Sequence, residues 1–313
     1  RGLVGSEMCI RDRFSFAGTV RSLLQDGDPF RTFRAGNAVL SCAKTAFLAQ
    51  KGLMKELFLL VLAGAVLGSF SSLFEGKQVR DASFYMVYLL ALALILKNFQ
   101  SSGENLKAVI TSLVAFMRIL TPSYYLAAAA AGGASSAVMF YQMLLLVILA
   151  VEKLLLALVL PMIHIYLLIA LVNDLSGEEI LSHMTELLET CVNGLLKSSL
   201  GVLVGMQMIR NLIAPALDSL RQMALWRTAG MIPGIGNAVN AVTELVAGSA
   251  ALIRNCFGVT AMLVLLAAGM VPAVQLLVSG LSFRLLAAAA QPVSDKRIAG
   301  CLAAAGKGYA MLL

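Results

Sequence analysis

The sequence predicts an all-α fold: a polytopic, integral membrane helix bundle with amphipathic or re-entrant segments. Three observations predict it. Hydrophobic residues make up 59% of the 313 positions and charged residues 13%, whereas a soluble domain carries about 25% charged residues. Mean hydropathy is +0.86, and apolar runs suited to crossing about 30 Å of hydrocarbon recur along the chain. Ala and Leu dominate, and strand-type alternation is absent. In hydrocarbon the backbone must satisfy its own hydrogen bonds, so helices are the spanning element. Roughly six to eight crossings are expected from the apolar runs. The net charge of +7 reads as basic cytoplasmic loops and not as a nucleic-acid footprint.

Three regions divide the chain. Residues 1–13, RGLVGSEMCIRDR, lack an initiating Met and do not resemble the rest of the chain. GSEMCIRDR resembles a translated sequencing adaptor, so this lead is set aside as non-native. Residues 14–55 form a basic amphipathic N-terminal region, with Arg21, Arg31, Arg34, Lys44, Lys51 and Lys55 against Asp26 and Asp28. Two readings stand for it: a helix lying on the membrane surface, or a solvated lead-in. Residues 56–313 are the multi-span membrane domain.

The first clear span is Leu57–Phe74, with Gly64-x-x-x-Gly68, whose missing side chains let a second helix approach. A polar turn leads to a second span, about Ser83–Leu96. Glu104–Leu120 is amphipathic, with Leu106, Val109, Ile110, Leu113, Val114 and Met117 at helical spacing. Pro122 is expected to end it. The Ala/Gly/Ser run Leu126–Ala137 suits close helix contact or a re-entrant hairpin. Residues 138–172 form two apolar halves around Glu152-Lys153, with Pro161 in the second half. That charge pair reads as a boundary between two segments, or as charges that pair or snorkel. The functional alternative is an ionisable site at mid-membrane.

Asn173–Leu196 is acidic. Ser176-x-x-Glu179 fits a capping box at a helix start. Ile180, Met184, Leu187, Leu188, Cys191 and Leu195 form its predicted apolar stripe. An acidic helix is a poor match for anionic lipid, so it is expected to rest against protein or to face outward as a docking surface. Lys197–Leu217 is a further span with Gly201-x-x-x-Gly205, Arg210 and Pro215. Ala216–Ala229 is basic and amphipathic, and Trp226 reads as an interface anchor. Met231–Pro292 opens on a Pro/Gly turn. It continues as a small-residue segment carrying Glu244 and Arg254, then as an apolar run broken by Pro272 and carrying Arg284. Val293–Leu313 reads as a polar, mixed tail.

Pro122 and Pro161 are 39 residues apart, as are Pro233 and Pro272. The order of parts around them recurs over residues 83–172 and 197–290, a candidate internal duplication carried by pattern and not by identity. Proline-broken helices in matching positions of two halves point to a transport or conduction path. The candidate path or packing residues are therefore Pro233, Gly234, Gly236, Glu244, Arg254, Pro272, Arg284, Pro122 and Pro161. Glu244 and Arg254 would stand about 15 Å apart on one straight helix. They meet only if the segment bends back on itself.

No enzyme chemistry is expected. Gly300–Lys307 (GCLAAAGK) superficially suggests a phosphate loop. Its glycines are one residue too far apart, and Gly308 stands where Ser or Thr should bind magnesium. His183 and Glu186 have metal-ligand spacing but no second pair, and a surface histidine is the plainer reading. The five cysteines, Cys9, Cys42, Cys191, Cys256 and Cys301, form no C-x-x-C and no Cys/His cluster. They read as small apolar residues without bonds between them. No nucleophile–base pair occurs. Neither a catalytic, a metal nor a cofactor site is expected.

Within Met231–Pro292 the succession I-P-G-I-G, A-L-I-R-N-C-F-G-V, V-P-A-V-Q and F-R-L-L-A-A-A-A-Q-P resembles the stage III sporulation protein AE family. The likeness extends upstream through Thr121-Pro122, the segment Ala127–Ala137 and the acidic helix, and covers about Leu53 to Leu313. The resemblance implies a non-enzymatic, polytopic membrane protein of endospore-forming bacteria. It implies a subunit of a channel or secretion-like complex linking mother cell and forespore, needed for late forespore gene expression. The implied location is the mother-cell-derived membrane around the forespore. The implied partners are other stage III A sporulation proteins, indirectly stage II sporulation protein Q, and membrane lipid, with no nucleic acid. No catalytic residue is carried over. The resemblance also implies a further hydrophobic segment beyond Leu313, so that this chain is C-terminally truncated. A stand-alone permease is the alternative that the repeat and the broken helices suggest.

Overall fold

The computed structural model describes residues 35–71, 77–130, 135–176, 181–229, 236–292 and 294–313. Among the described residues no strand forms. The order is α1 (Ala35–Ser71), α2 (Lys77–Ala130), α3 (Ser135–Leu154), a π-helical turn (Leu155–Val159), α4 (Leu160–Ser176), α5 (Ser182–Ala229), α6 (Gly236–Ala290) and α7 (Lys296–Leu312). The fold is an all-α polytopic membrane bundle. Among the described residues four helical stretches are long and apolar enough to cross a membrane: Phe84–Pro122, Gln142–Leu175, Ser182–Ile213 and Asn255–Ala290. In the most apolar window of Gln142–Leu175 only 6% of residues are buried. Surface so apolar and so exposed is lipid-facing. Leu146, Leu168, Leu200, Leu212, Leu266 and Leu285 all stand on it.

Segments read as separate are fused, and the span expected at Leu57–Phe74 lies in part outside the described residues. Ser83–Leu96 and Glu104–Leu120 belong to one helix, and the polar residues between them stay helical. Pro122 does not end that helix. The Thr121 hydroxyl donates to the Met117 carbonyl one turn back, while the carbonyl that Pro122 leaves without its helical donor is that of Arg118. Pro161 directly follows the π turn, in which the Leu160 N–H reaches back to the Leu155 carbonyl. The widened turn absorbs the donor that proline lacks. Glu152-Lys153 precede this turn on an unbroken helix, so they mark no chain reversal. The small-residue run Leu126–Ala137 is shared between the end of α2 and the start of α3, and its residues 131–134 lie outside the described residues.

The predicted capping box is also replaced. Ser176 ends α4, and Glu179 lies outside the described residues. The start of α5 is held instead by Asn173, whose side-chain oxygen accepts from the Leu181 N–H at 2.9 Å. Met184, Leu187 and Cys191 of the predicted stripe are exposed. Val192 is fully buried, with Leu195 and Leu196 packed on the same core. The core-facing register is thus shifted by about one position.

The largest departure is the C-terminus. Val293–Leu313 is not a polar tail. Asp295 caps α7 by accepting from the Arg297 N–H at 3.2 Å. Ile298, Cys301, Leu302, Ala305, Tyr309 and Leu312 form a buried stripe along it, spaced at three to four residues as an amphipathic helix requires. Lysines and glycines interleaved with that stripe disguise it in the sequence. The glycine-rich Gly300–Lys307 stretch is ordinary helix within α7.

α7 fills the centre of the bundle, packing on α6, α4 and α2. Phe84, Leu175, Ala290 and Arg297 gather at one end of the bundle. There the Arg297 guanidinium donates to the Leu175 carbonyl at 3.3 Å and lies 5.7 Å from the Phe84 ring centre. Tyr124 and Gly258 meet at the other end.

Candidate functional site

α7 enters beside Ala290 and reaches about half-way through the bundle, where Tyr309 meets α2. The Tyr309 ring stacks on Phe283 at 5.2 Å between centroids and lies edge-on to Phe99 at 5.1 Å. Its hydroxyl accepts from the Asn98 amide at 2.7 Å and lies 3.3 Å from the Ser102 hydroxyl. The Cys301 thiol on the same helix is buried, so it is an unreactive core group. On the next α2 position, Gly103 leaves room for His164 of α4; a Cβ there would stand 2.7 Å from the imidazole Cε1. The His164 ring bonds the Leu160 carbonyl through Nδ1 at 2.8 Å.

Beside Asn98 and Ser102 a cavity of about 260 Å³ opens between α1, α2 and α6. Thr45 and Gln50 line it from α1, Asn98, Ser101, Ser102 and Asn105 from α2, and Gln275 and Ser279 from α6. Pro272 forms part of the wall. No described lining residue carries a charge. The α2 wall lies at the midpoint of Phe84–Pro122, and Pro272 lies at the midpoint of Asn255–Ala290. The cavity is therefore a polar chamber at the middle of both helical stretches.

Its geometry follows from helix register. On α1 the buried positions Ala46, Leu57 and Val61 continue through Gln50, which puts an amide on the core-facing stripe. On α2, Asn98, Ser102 and Asn105 extend the stripe of Tyr88, Ala91, Ile95 and Phe99. On α6, Ser279 sits among Leu276, Phe283 and Ala287. Three core stripes thus turn polar at one level. Asn105 donates to the Gln275 side-chain oxygen at 3.4 Å across the α2–α6 wall. Pro272 leaves the Ala268 carbonyl without its helical donor. The Gln50 amide nitrogen is buried and has no hydrogen-bond partner among the described residues. A larger cavity of about 800 Å³ lies between α2, α3 and α6. Its wall is Leu, Met, Ala and Gly apart from Thr121, Tyr124 and Ile148, and it offers volume with little hydrogen bonding.

The profile of the family described as Stage III sporulation protein AE matches residues 14–313. The chain belongs to the stage III sporulation protein AE family. The Stage III sporulation protein AE of Bacillus subtilis (strain 168) is 23% identical over 256 residues, 82% of this chain and 64% of that relative. The chain thus spans just under two thirds of the length of the curated relative it matches. No solved structure matches the chain. The matched region of this stage III sporulation protein AE family member includes all three helices around the polar cavity.

Of the residues singled out in the sequence, Pro272 alone lines the polar cavity. Pro233 and Gly234 lie outside the described residues, and Gly236 is the first residue of α6. Glu244 and Arg254 share the unbroken helix α6, so they are about 15 Å apart along it and the bent-back arrangement does not occur. Arg284 is exposed, and its stem covers Gly306 of α7. Pro122 and Pro161 are exposed on α2 and α4. Among the described residues no group of His, Cys, Asp or Glu is placed to hold a metal ion, and His183 is exposed.

Sequence reasoning missed Gln50, Asn98, Asn105, Gln275, Ser279 and Tyr309. It searched apolar runs for charges and prolines, and these residues are neither. The usable signal was a neutral amide or hydroxyl in the core register of three helices at once.

Proposed function

We propose that the chain is a non-enzymatic membrane subunit of a sporulation channel complex joining mother cell and forespore. In this reading it acts in the mother-cell-derived membrane around the forespore and is needed for late forespore gene expression. The family match over residues 14–313 carries the reading, and the four membrane-length helices support it. Other stage III A sporulation proteins are its proposed direct partners, with stage II sporulation protein Q an indirect one. Deleting the gene in its spore-forming host should leave engulfment intact and block late forespore transcription. Normal heat-resistant spores from the deletion strain would remove the proposal. A stand-alone permease is the second reading, favoured by the polar chamber between α1, α2 and α6; it requires saturable solute uptake by liposomes holding this chain alone.

A further inference from the structure

We propose that the cavity between α1, α2 and α6 is a binding site for a small, uncharged solute rich in hydroxyl groups, with Gln50 as its principal donor. The inference concerns binding by this chain and holds whether the chain serves a complex or acts alone.

The unpartnered Gln50 amide nitrogen comes first. A buried donor without an acceptor costs about 1–3 kcal/mol. An amide here also replaces an apolar residue that the α1 stripe would accept. The donor faces a chamber whose other groups, Ser101, Ser279 and Asn105 among them, present hydroxyls and an amide. At 260 Å³ the chamber far exceeds the roughly 10–15 Å³ needed for one water molecule. Amides and hydroxyls both donate and accept, so they match a ligand whose own groups do both.

Charge fixes the rest of the ligand class. No described lining residue is ionised, and an ion moved into a low-dielectric interior without a counter-charge loses several kcal/mol of hydration. A neutral ligand avoids that cost. The Asn105–Gln275 bond, long at 3.4 Å, is weak enough for ligand hydroxyls to replace. Tyr309 stands behind the lining residues and holds Asn98 and Ser102 in place. It is thus a positioning residue.

The test is the melting temperature of the detergent-purified full chain with ribitol, sodium glutamate, potassium chloride or sucrose added. Sucrose reports general osmolyte stabilisation. Ribitol at about tenfold saturation should raise the melting temperature by on the order of 3 °C beyond sucrose, and the two salts should add nothing comparable. Gln50→Leu should abolish the ribitol increment. Without solute it should melt at or above wild type, because it removes an unpaired buried donor. Asn105→Leu, on the opposite wall, repeats the test if Gln50→Leu does not fold. A ribitol effect no larger than that of sucrose, an equal effect of potassium chloride, or a full ribitol increment in Gln50→Leu would each overturn the proposal.

Discussion

At the scale of single residues, close helix contact is set by glycines that no motif marks. A Cβ on Gly306 would stand 2.8 Å from Arg284 Cγ and 3.3 Å from the Gly280 carbonyl oxygen. A Cβ on Gly280 would stand 3.2 Å from Tyr309 Cβ. These two glycines let α6 and α7 approach backbone to backbone. Gly306→Ala should therefore force the helices apart and cost about 1–3 kcal/mol, read as a melting temperature several degrees lower in detergent. Gly201→Ala is the control. Nothing lies within 4 Å of its added Cβ, so relief of the glycine penalty should leave stability unchanged or up by about 0.5–1 kcal/mol. Equal losses in both variants would contradict the packing assigned to Gly306. The Gly201-x-x-x-Gly205 spacing has the form of a contact motif, yet neither of its glycines meets a neighbour among the described residues. Gly64 of the α1 motif does, with Val87 at 3.0 Å from its added Cβ.

At the scale of elements, helix identity was legible and helix continuity was not. Apolar content and periodicity locate the helical segments, since both are local properties of ten to twenty residues. Whether two segments join is decided elsewhere, as by the π turn that precedes Pro161. The role of α7 was hidden for a related reason. Its charges suggested solvent, yet Lys307 reaches out from a buried helix to pair with Glu189 on α5.

At the scale of the whole molecule, contacts between distant segments assign each helix end to one of two faces. Phe84, Leu175, Ala290 and Arg297 share one end, where Arg297 bridges to Leu175 and covers Phe84. Tyr124 and Gly258 share the other. In this order the described end of α4 and start of α5 share one face with the α6–α7 turn. The described end of α2 and start of α3 lie at the opposite face. The polar cavity lies between the two faces. Composition announced that the chain spans a membrane, but a pairing of ends requires contacts as distant as Arg297 with Leu175. In a chain whose native cysteines are replaced, single cysteines at Ser182 and Asp295 should react with an impermeant maleimide from one and the same side of sealed vesicles. A cysteine at Gln142 should react only from the other side. Labelling of Asp295→Cys and Gln142→Cys from the same face would break this arrangement. It would also require α7 to enter the bundle from the end that holds Tyr124, which the capping of α7 by Asp295 next to Ala290 does not allow.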